Sequence, residues 1–128
     1  MRILLLFARA IVALVLSGAA ALAGPWEDGM VAYNRGDYVP ALKVFQGLAQ
    51  AGNTKAQGIL GVMYRKGEGV TPSSARAFMW LSIAAARGDT TAKVKLREMA
   101  KEMTPAEMSH AKEMMAACEA SDYRNCEY

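Results

Sequence analysis

Two cysteines, one histidine and a crowd of methionines are the residues whose types could do uncommon chemistry. Cys118 and Cys126 are the only cysteines, both close to the C-terminus. Their C-x7-C spacing does not fit the C-x-x-C redox motif, and zinc would need two more ligands from a chain with a single histidine. An even count fits a structural disulfide when the chain is exported, a condition the first residues of the sequence meet. Chain entropy gives a bridge across so short a loop roughly 2.5 kcal/mol, enough to pin a tail but too local to hold a domain. Five of the nine methionines, Met99, Met103, Met108, Met114 and Met115, lie near the C-terminal end. Thioethers suit Cu(I), but methionines also fill irregular cores and adaptable surfaces. A composition without a ligand geometry favours the second role.

Catalysis has no visible residue set. His110 lacks a nucleophile or carboxylate placed against it, so a solvent-facing position on a helix is expected. Glu107 and Glu113 are six residues apart, about 600° round a helix of 3.6 residues per turn, and do not form a pair. Ser17, Ser109 and Ser121 carry no elbow or base motif, and the chain has neither a G-x-x-x-x-G-K-[ST] nor a G-x-G-x-x-G loop. No catalysis, metal or cofactor is expected.

The chain has 128 residues, is 53% hydrophobic and carries a formal charge of +3. That size leaves room for one small domain. Residues 1–23 contribute much of the hydrophobicity: a basic start with Arg2 and Arg9, an apolar run from Ala10 to Leu16, and Ala21-Leu22-Ala23, an A-x-A cleavage pattern. They read as a signal peptide cut after Ala23, and the chain is expected to be periplasmic or secreted. Ser17, Gly18, Gly24 and Pro25 leave the apolar stretch short of the roughly 20 residues that span a bilayer, so a membrane partner is expected only if the leader is retained. Losing Arg2 and Arg9 takes the formal charge from +3 to +1, which removes the main support for a nucleic-acid partner.

Beyond the leader the sequence repeats. Ala41 and Ala77, Gly52 and Gly88, Ala56 and Ala92, and Leu60 and Leu96 each pair at an offset of 36, and Leu48 pairs more loosely with Ile83 or Ala84. A fixed period in the thirties without β-type alternation points to stacked helical hairpins. Apolar residues recur at helical spacing in Ala56, Leu60, Met63 and Tyr64, in Ala77, Leu81, Ala84 and Ala85, and in Ala92, Leu96, Met99 and Met103. Gly36, Gly52, Gly67, Gly69 and Gly88 mark helix ends. Thr71-Pro72 and Thr104-Pro105 open helices with proline at the first position, and Thr104 to Glu107 fits a capping box. Helices are therefore predicted over 25–35, 39–51, 54–66, 72–87, 90–103 and 105–119, an all-α domain of about three hairpins over 24–119. Residues 120–128 are expected to form a tail pinned by the disulfide.

These residues carry a resemblance. Trp26, Tyr33, Gly36-Asp37-Tyr38 and Ala41-x3-Phe45 in the first hairpin, with Leu60-Gly61-x2-Tyr64 and Ala77-x3-Leu81 in the second, are similar to the tetratricopeptide pattern. The 36-residue offset, the long loop Tyr64 to Val70 and the run Trp80 to Gly88 make the chain resemble the SEL-one-like repeat family in particular. Met103 to Glu107 followed by Ala111 resembles the closing hairpin of short bacterial members. Departures are Gln57 in place of tryptophan, a first loop five residues shorter than the second, an early Pro40, and Ser73 and Ser74 where the family carries an acidic residue.

The resemblance implies a tetratricopeptide-like superhelix whose first helices line a concave binding surface. By register that surface receives Val31, Asn34 and Arg35 from the first unit, Lys55, Val62, Arg65 and Lys66 from the second, and Val94, Glu98 and Lys101 from the third. A mainly basic groove suits an acidic peptide or a C-terminal carboxylate. The expected function is that of an exported, non-catalytic, monomeric adaptor that binds a protein or peptide. The alternative implied by the resemblance is an enzyme-like role at the cell wall or toward β-lactams, since the Cys118 to Cys126 spacing is similar to that of cysteine-bridged members linked to such ligands. A Cu(I)-binding protein is the third reading.

Overall fold

The computed structural model describes residues 24–126, so the leader and its cleavage after Ala23 lie outside the described residues. Regular structure among them is entirely helical: α1 (Pro25–Asn34), α2 (Tyr38–Gln50), α3 (Thr54–Lys66), α4 (Ser74–Ala86), α5 (Thr90–Glu102) and α6 (Pro105–Ala120). None of these helices is long and apolar enough to cross a membrane.

Three short turns share one device. Gly36, Gly52 and Gly88 adopt φ of 80°, 91° and 101°, a left-handed conformation that costs a residue with a Cβ about 1–2 kcal/mol. In each case the next N–H reaches back into the helix just ended: Asp37 N to Ala32 O at 2.9 Å, Asn53 N to Leu48 O at 2.9 Å, Asp89 N to Ala84 O at 3.0 Å. Asn53 and Asp89 then open the next helix, accepting from Ala56 N at 3.0 Å and Ala92 N at 2.9 Å. One Gly-Asn or Gly-Asp pair thus stops one helix and starts another. The bonds to Leu48 and Ala84 also fix the loose pairing, because Leu48 corresponds to Ala84 at the same offset of 36.

The start of α4 corrects the expectation for Pro72. The helix begins at Ser74 with Ser73 as its cap, and Thr71-Pro72 stays in the loop. Ser73 N donates to Tyr64 O at 3.0 Å while its Oγ accepts from Arg76 N at 3.2 Å. One residue therefore both anchors the loop and caps the helix, which leaves proline no role at the first helical position. Thr104 does form the expected capping box, accepting from Glu107 N at 3.2 Å and donating to Glu107 Oε2 from its backbone at 2.9 Å.

Packing is centred on α4. Its Ala75, Ala77, Met79, Trp80, Leu81, Ile83, Ala84 and Ala85 are buried, and α3, α5 and α6 all pack on it. The first two helix pairs, α1 with α2 and α3 with α4, are hairpins packed on themselves. In the third pair α5 and α6 each rest mainly on α4, so that unit is splayed. Glycines allow the close crossings: a methyl group on Gly29 would meet Val44 Cγ1 at 2.9 Å, and one on Gly61 would meet Leu81 Cγ at 2.5 Å. Trp26 and Tyr33 of α1 meet Phe45 of α2 edge-on, with ring centroids 5.5 and 6.4 Å apart.

Two further ties fasten the loop after α3 and the tail. Tyr33 Oη donates to Glu68 Oε1 at 3.0 Å, fastening the loop after α3 to the first hairpin. Burial, reinforced by the Glu68 carboxylate, raises the Tyr33 phenol to about 12. The Cys118–Cys126 disulfide, with Cα atoms 4.6 Å apart, closes the tail, and both cysteines are buried.

Candidate protein-binding groove

Helices α1, α3 and α5 bring their N-terminal halves to one concave hollow of 290 Å³. Trp26 comes from α1, Lys55, Gly58, Ile59 and Val62 from α3, Leu81 from α4, and Asp89, Thr91, Ala92 and Lys95 from the start of α5. The sequence brings them together through helical spacing: positions 55, 58, 59 and 62 of α3 follow one face, as do 91, 92 and 95 of α5. Gly58 has no side chain to fill the floor, and a methyl group there would stand 3.2 Å from Asp89 Oδ2. The floor is apolar, with Lys55 exposed and Lys95 half-buried.

The electrostatics of this end are set by helix starts. Neither α3 nor α5 has an acidic residue in its first turn, but the capping carboxylate of Asp89 offsets the partial positive charge at the start of α5, whereas α3 is capped by the neutral Asn53. Asp89 is the only carboxylate in the lining, and its Oδ1 is engaged by Ala92 N as the cap of α5.

The residues assigned to the groove from register divide into several places. Lys55 and Val62 line the hollow. Arg65 turns toward α5, where its guanidinium pairs with Glu98 at 3.6 Å and Glu102 at 3.8 Å. Glu98 also borders, with Val94, a shallow depression on α5 that shares Thr91 and Lys95 with the hollow. Asn34, Arg35, Lys66 and Lys101 are exposed and stand outside the lining. The basic character expected along the whole surface is therefore concentrated at Lys55 and Lys95, because Arg65 is held by its two glutamates.

Sequence reasoning did not place Gly58, Ile59, Leu81, Asp89, Thr91 or Lys95 in the site, and used Trp26 only as a mark of the repeat pattern. A signal existed in Gly58, since a glycine inside a helix costs about 1 kcal/mol against alanine and points to a close approach or an open floor.

Among the described residues Met63 and Met79 are buried, and Met30, Met103 and Met115 pack against the core. Met99 and Met114 are buried, and the cysteines bond to each other. Met99 and Met103 border a polar recess with Arg65, Ser74, Glu102 and Glu107. His110 is exposed on α6. Among the described residues no group of three or more His, Cys, Asp or Glu is placed to hold a metal ion. Compared with known proteins, the chain matches no family model and no curated relative.

Proposed function

We propose that the protein is an exported, non-catalytic helical-repeat adaptor of the SEL-one-like, tetratricopeptide-like type, which binds a partner protein or peptide as a monomer through the concave face of α1, α3 and α5. One observation carries the reading: three helices that are not neighbours in sequence present their N-terminal halves to a single hollow with an apolar floor, rimmed by Lys55, Lys95 and Asp89. An apolar concavity with a few polar groups at its edge is the usual form of a ligand site. The repeated turns at Gly52 and Gly88, each followed by a capping Asn53 or Asp89, support the repeat assignment.

The experiment is capture in the cell. The protein, expressed with its own leader and carrying a photo-crosslinker at Val62, is irradiated, and the adducts and the N-terminus are identified by mass spectrometry. A dominant adduct with one protein on a chain starting near Gly24 is the expected result. Absence of any protein adduct would sink the adaptor reading, and an intact leader would replace export with membrane anchoring.

A further inference from the structure

Two walls of the hollow start at equivalent turns. Gly52-Asn53 precedes α3 and Gly88-Asp89 precedes α5, and the two capping side chains accept from Ala56 N at 3.0 Å and Ala92 N at 2.9 Å. Lys55 and Thr91, each two residues after its cap, line the hollow. The positions of the two turns therefore set how far apart the walls stand.

Helices α3 and α5 each pack on α4, and two arginines tie them to each other at opposite ends. Arg65, in the last turn of α3, pairs with Glu98 and Glu102 of α5. At the starts the tie is Arg87, whose Nη1 donates to Gly52 O at 2.8 Å while its own backbone leads into Gly88-Asp89. The guanidinium lies close against that turn, since a methyl group on Gly52 would meet Nη1 at 3.2 Å and Nη2 at 3.6 Å. Arg87 is exposed, and an exposed arginine has many rotamers, so one surface hydrogen bond holds it weakly. The ring of Tyr123, with its centroid 5.2 Å from the guanidinium, restricts it further.

Tyr123 is in turn placed by the bridge. Asp122 and Tyr123 adopt φ of 55° and 64°, conformations that non-glycine residues keep only where their surroundings enforce them. Tyr123 N donates to Cys118 O at 2.9 Å, and Ser121 Oγ donates to the same carbonyl at 2.8 Å while accepting from Asn125 N at 2.9 Å. These bonds turn the chain back onto the end of α6, and the buried Cys118–Cys126 bridge closes the turn.

Resting on the export and binding role proposed above, we infer that closing the Cys118–Cys126 bridge sets the hollow to its binding width through Tyr123 and Arg87, so that affinity for the partner rises when the tail is oxidised. The two states are the starts of α3 and α5 held together by Arg87, or released to move separately on α4. The step is thiol–disulfide exchange with a disulfide oxidant: the two cysteine thiols form the S–S bond and give up two protons and two electrons, and the incoming disulfide leaves as two thiols. Before export the thiols stay reduced and the tail is open. Binding strength is thus gained in the compartment where the partner is met.

The test is hydrogen exchange, followed by mass spectrometry, on the full chain expressed with its own leader and purified, both oxidised and after reduction with a phosphine. It is read at the amides of Ala56, Gln57, Ala92 and Lys93, which bond to Asn53 and Asp89. Reduction speeds exchange there by about fivefold, the scale of one surface hydrogen bond and one cation–π contact, and leaves the middle of α2 unchanged. Arg87→Ala shows the same faster exchange while still oxidised, and its reduction adds nothing at those amides. Unchanged exchange at the four amides overturns the inference, as does a change confined to residues 119–126 or one spread evenly through all six helices. The Val62 adduct separates this inference from the broader role. In the double variant Cys118→Ala with Cys126→Ala the adduct yield falls by about fivefold, the same free energy read as binding. An undiminished adduct leaves the adaptor role standing and overturns the redox inference. No adduct from either protein sinks the adaptor role, while the exchange rates still decide whether the tail positions the walls.

Discussion

The guanidinium of Arg87, at the end of α4, donates from Nη1 to the carbonyl oxygen of Gly52 at 2.8 Å, joining the turn after α2 to the turn after α4. The same guanidinium lies 5.2 Å from the ring centroid of Tyr123 in the disulfide-closed tail. One side chain therefore ties two equivalent turns to the C-terminus. Arg87→Ala is expected to destabilise by about 1 kcal/mol, the sum of an exposed hydrogen bond and an exposed cation–π contact. At about 4–8 °C per kcal/mol for a domain of this size, a thermal melt resolves the loss, and an unchanged melt would show that the two turns are held by other contacts.

Reduction of Cys118–Cys126 is expected to lower the melting temperature by several degrees. The loop is short, so the entropic gain of the bridge is roughly 2.5 kcal/mol, and fraying of the tail reduces what reaches the domain. The tail is also conformationally demanding, since Asp122 and Tyr123 adopt φ of 55° and 64°, a region non-glycine residues seldom occupy. Scanning calorimetry with and without reductant checks this, and in the Arg87→Ala background the reductant effect should shrink because Tyr123 has lost its partner.

Gly61→Ala is expected to destabilise by about 1–3 kcal/mol. The added methyl would meet Leu81 at 2.5 and 2.8 Å and the Ala77 carbonyl at 3.2 Å, and overpacking at a buried crossing outweighs the gain of about 1 kcal/mol in helix propensity. Urea unfolding measures the difference, and a stabilised variant would mean that α3 and α4 separate easily.

Gln57→Leu is expected to stabilise by about 1 kcal/mol. The side chain is fully buried, and its Oε1 accepts no hydrogen bond among the described residues. Its Nε2 donates to Ala49 O at 3.2 Å, but that carbonyl also accepts from Gly52 N at 3.0 Å and stays satisfied after the change. Removing an unpaired buried oxygen should gain more than the amide bond loses. A lower urea midpoint for the leucine variant would refute this.

Stability should fall as pH rises from about 10 toward 12. The phenol of Tyr33 is raised to about 12 by burial and by its bond to Glu68, so the folded state holds a proton that the unfolded state releases near pH 10. The contribution is complete below pH 10 and is lost as pH passes through the folded value. Thermal melts across this range should show a shallower decline for Tyr33→Phe than for the parent, and parallel declines would remove Tyr33 as the cause.

Local chemistry made the helices legible in the sequence. The glycine turns, the Thr104 box and the 3.6-residue stripes each rest on neighbours a few residues apart, whose interactions survive any tertiary arrangement, and the predicted spans fall within two residues of those observed. Pro72 escaped because Ser73 serves a second partner, Tyr64 O, nine residues earlier. The site was less legible. Register alone could put Lys55 and Val62 on the inner face, but the pairing of Arg65 with Glu98 and Glu102 depends on how α5 lies against α3. The convergence of Trp26, Ile59, Leu81 and Lys95 likewise depends on how four helices cross. Crossing geometry follows from side-chain packing across helices far apart in the chain, at contacts such as Gly29 against Val44 and Gly61 against Leu81. Spacing along one helix fixes the face on which a residue lies, and only the packed structure decides what that face meets.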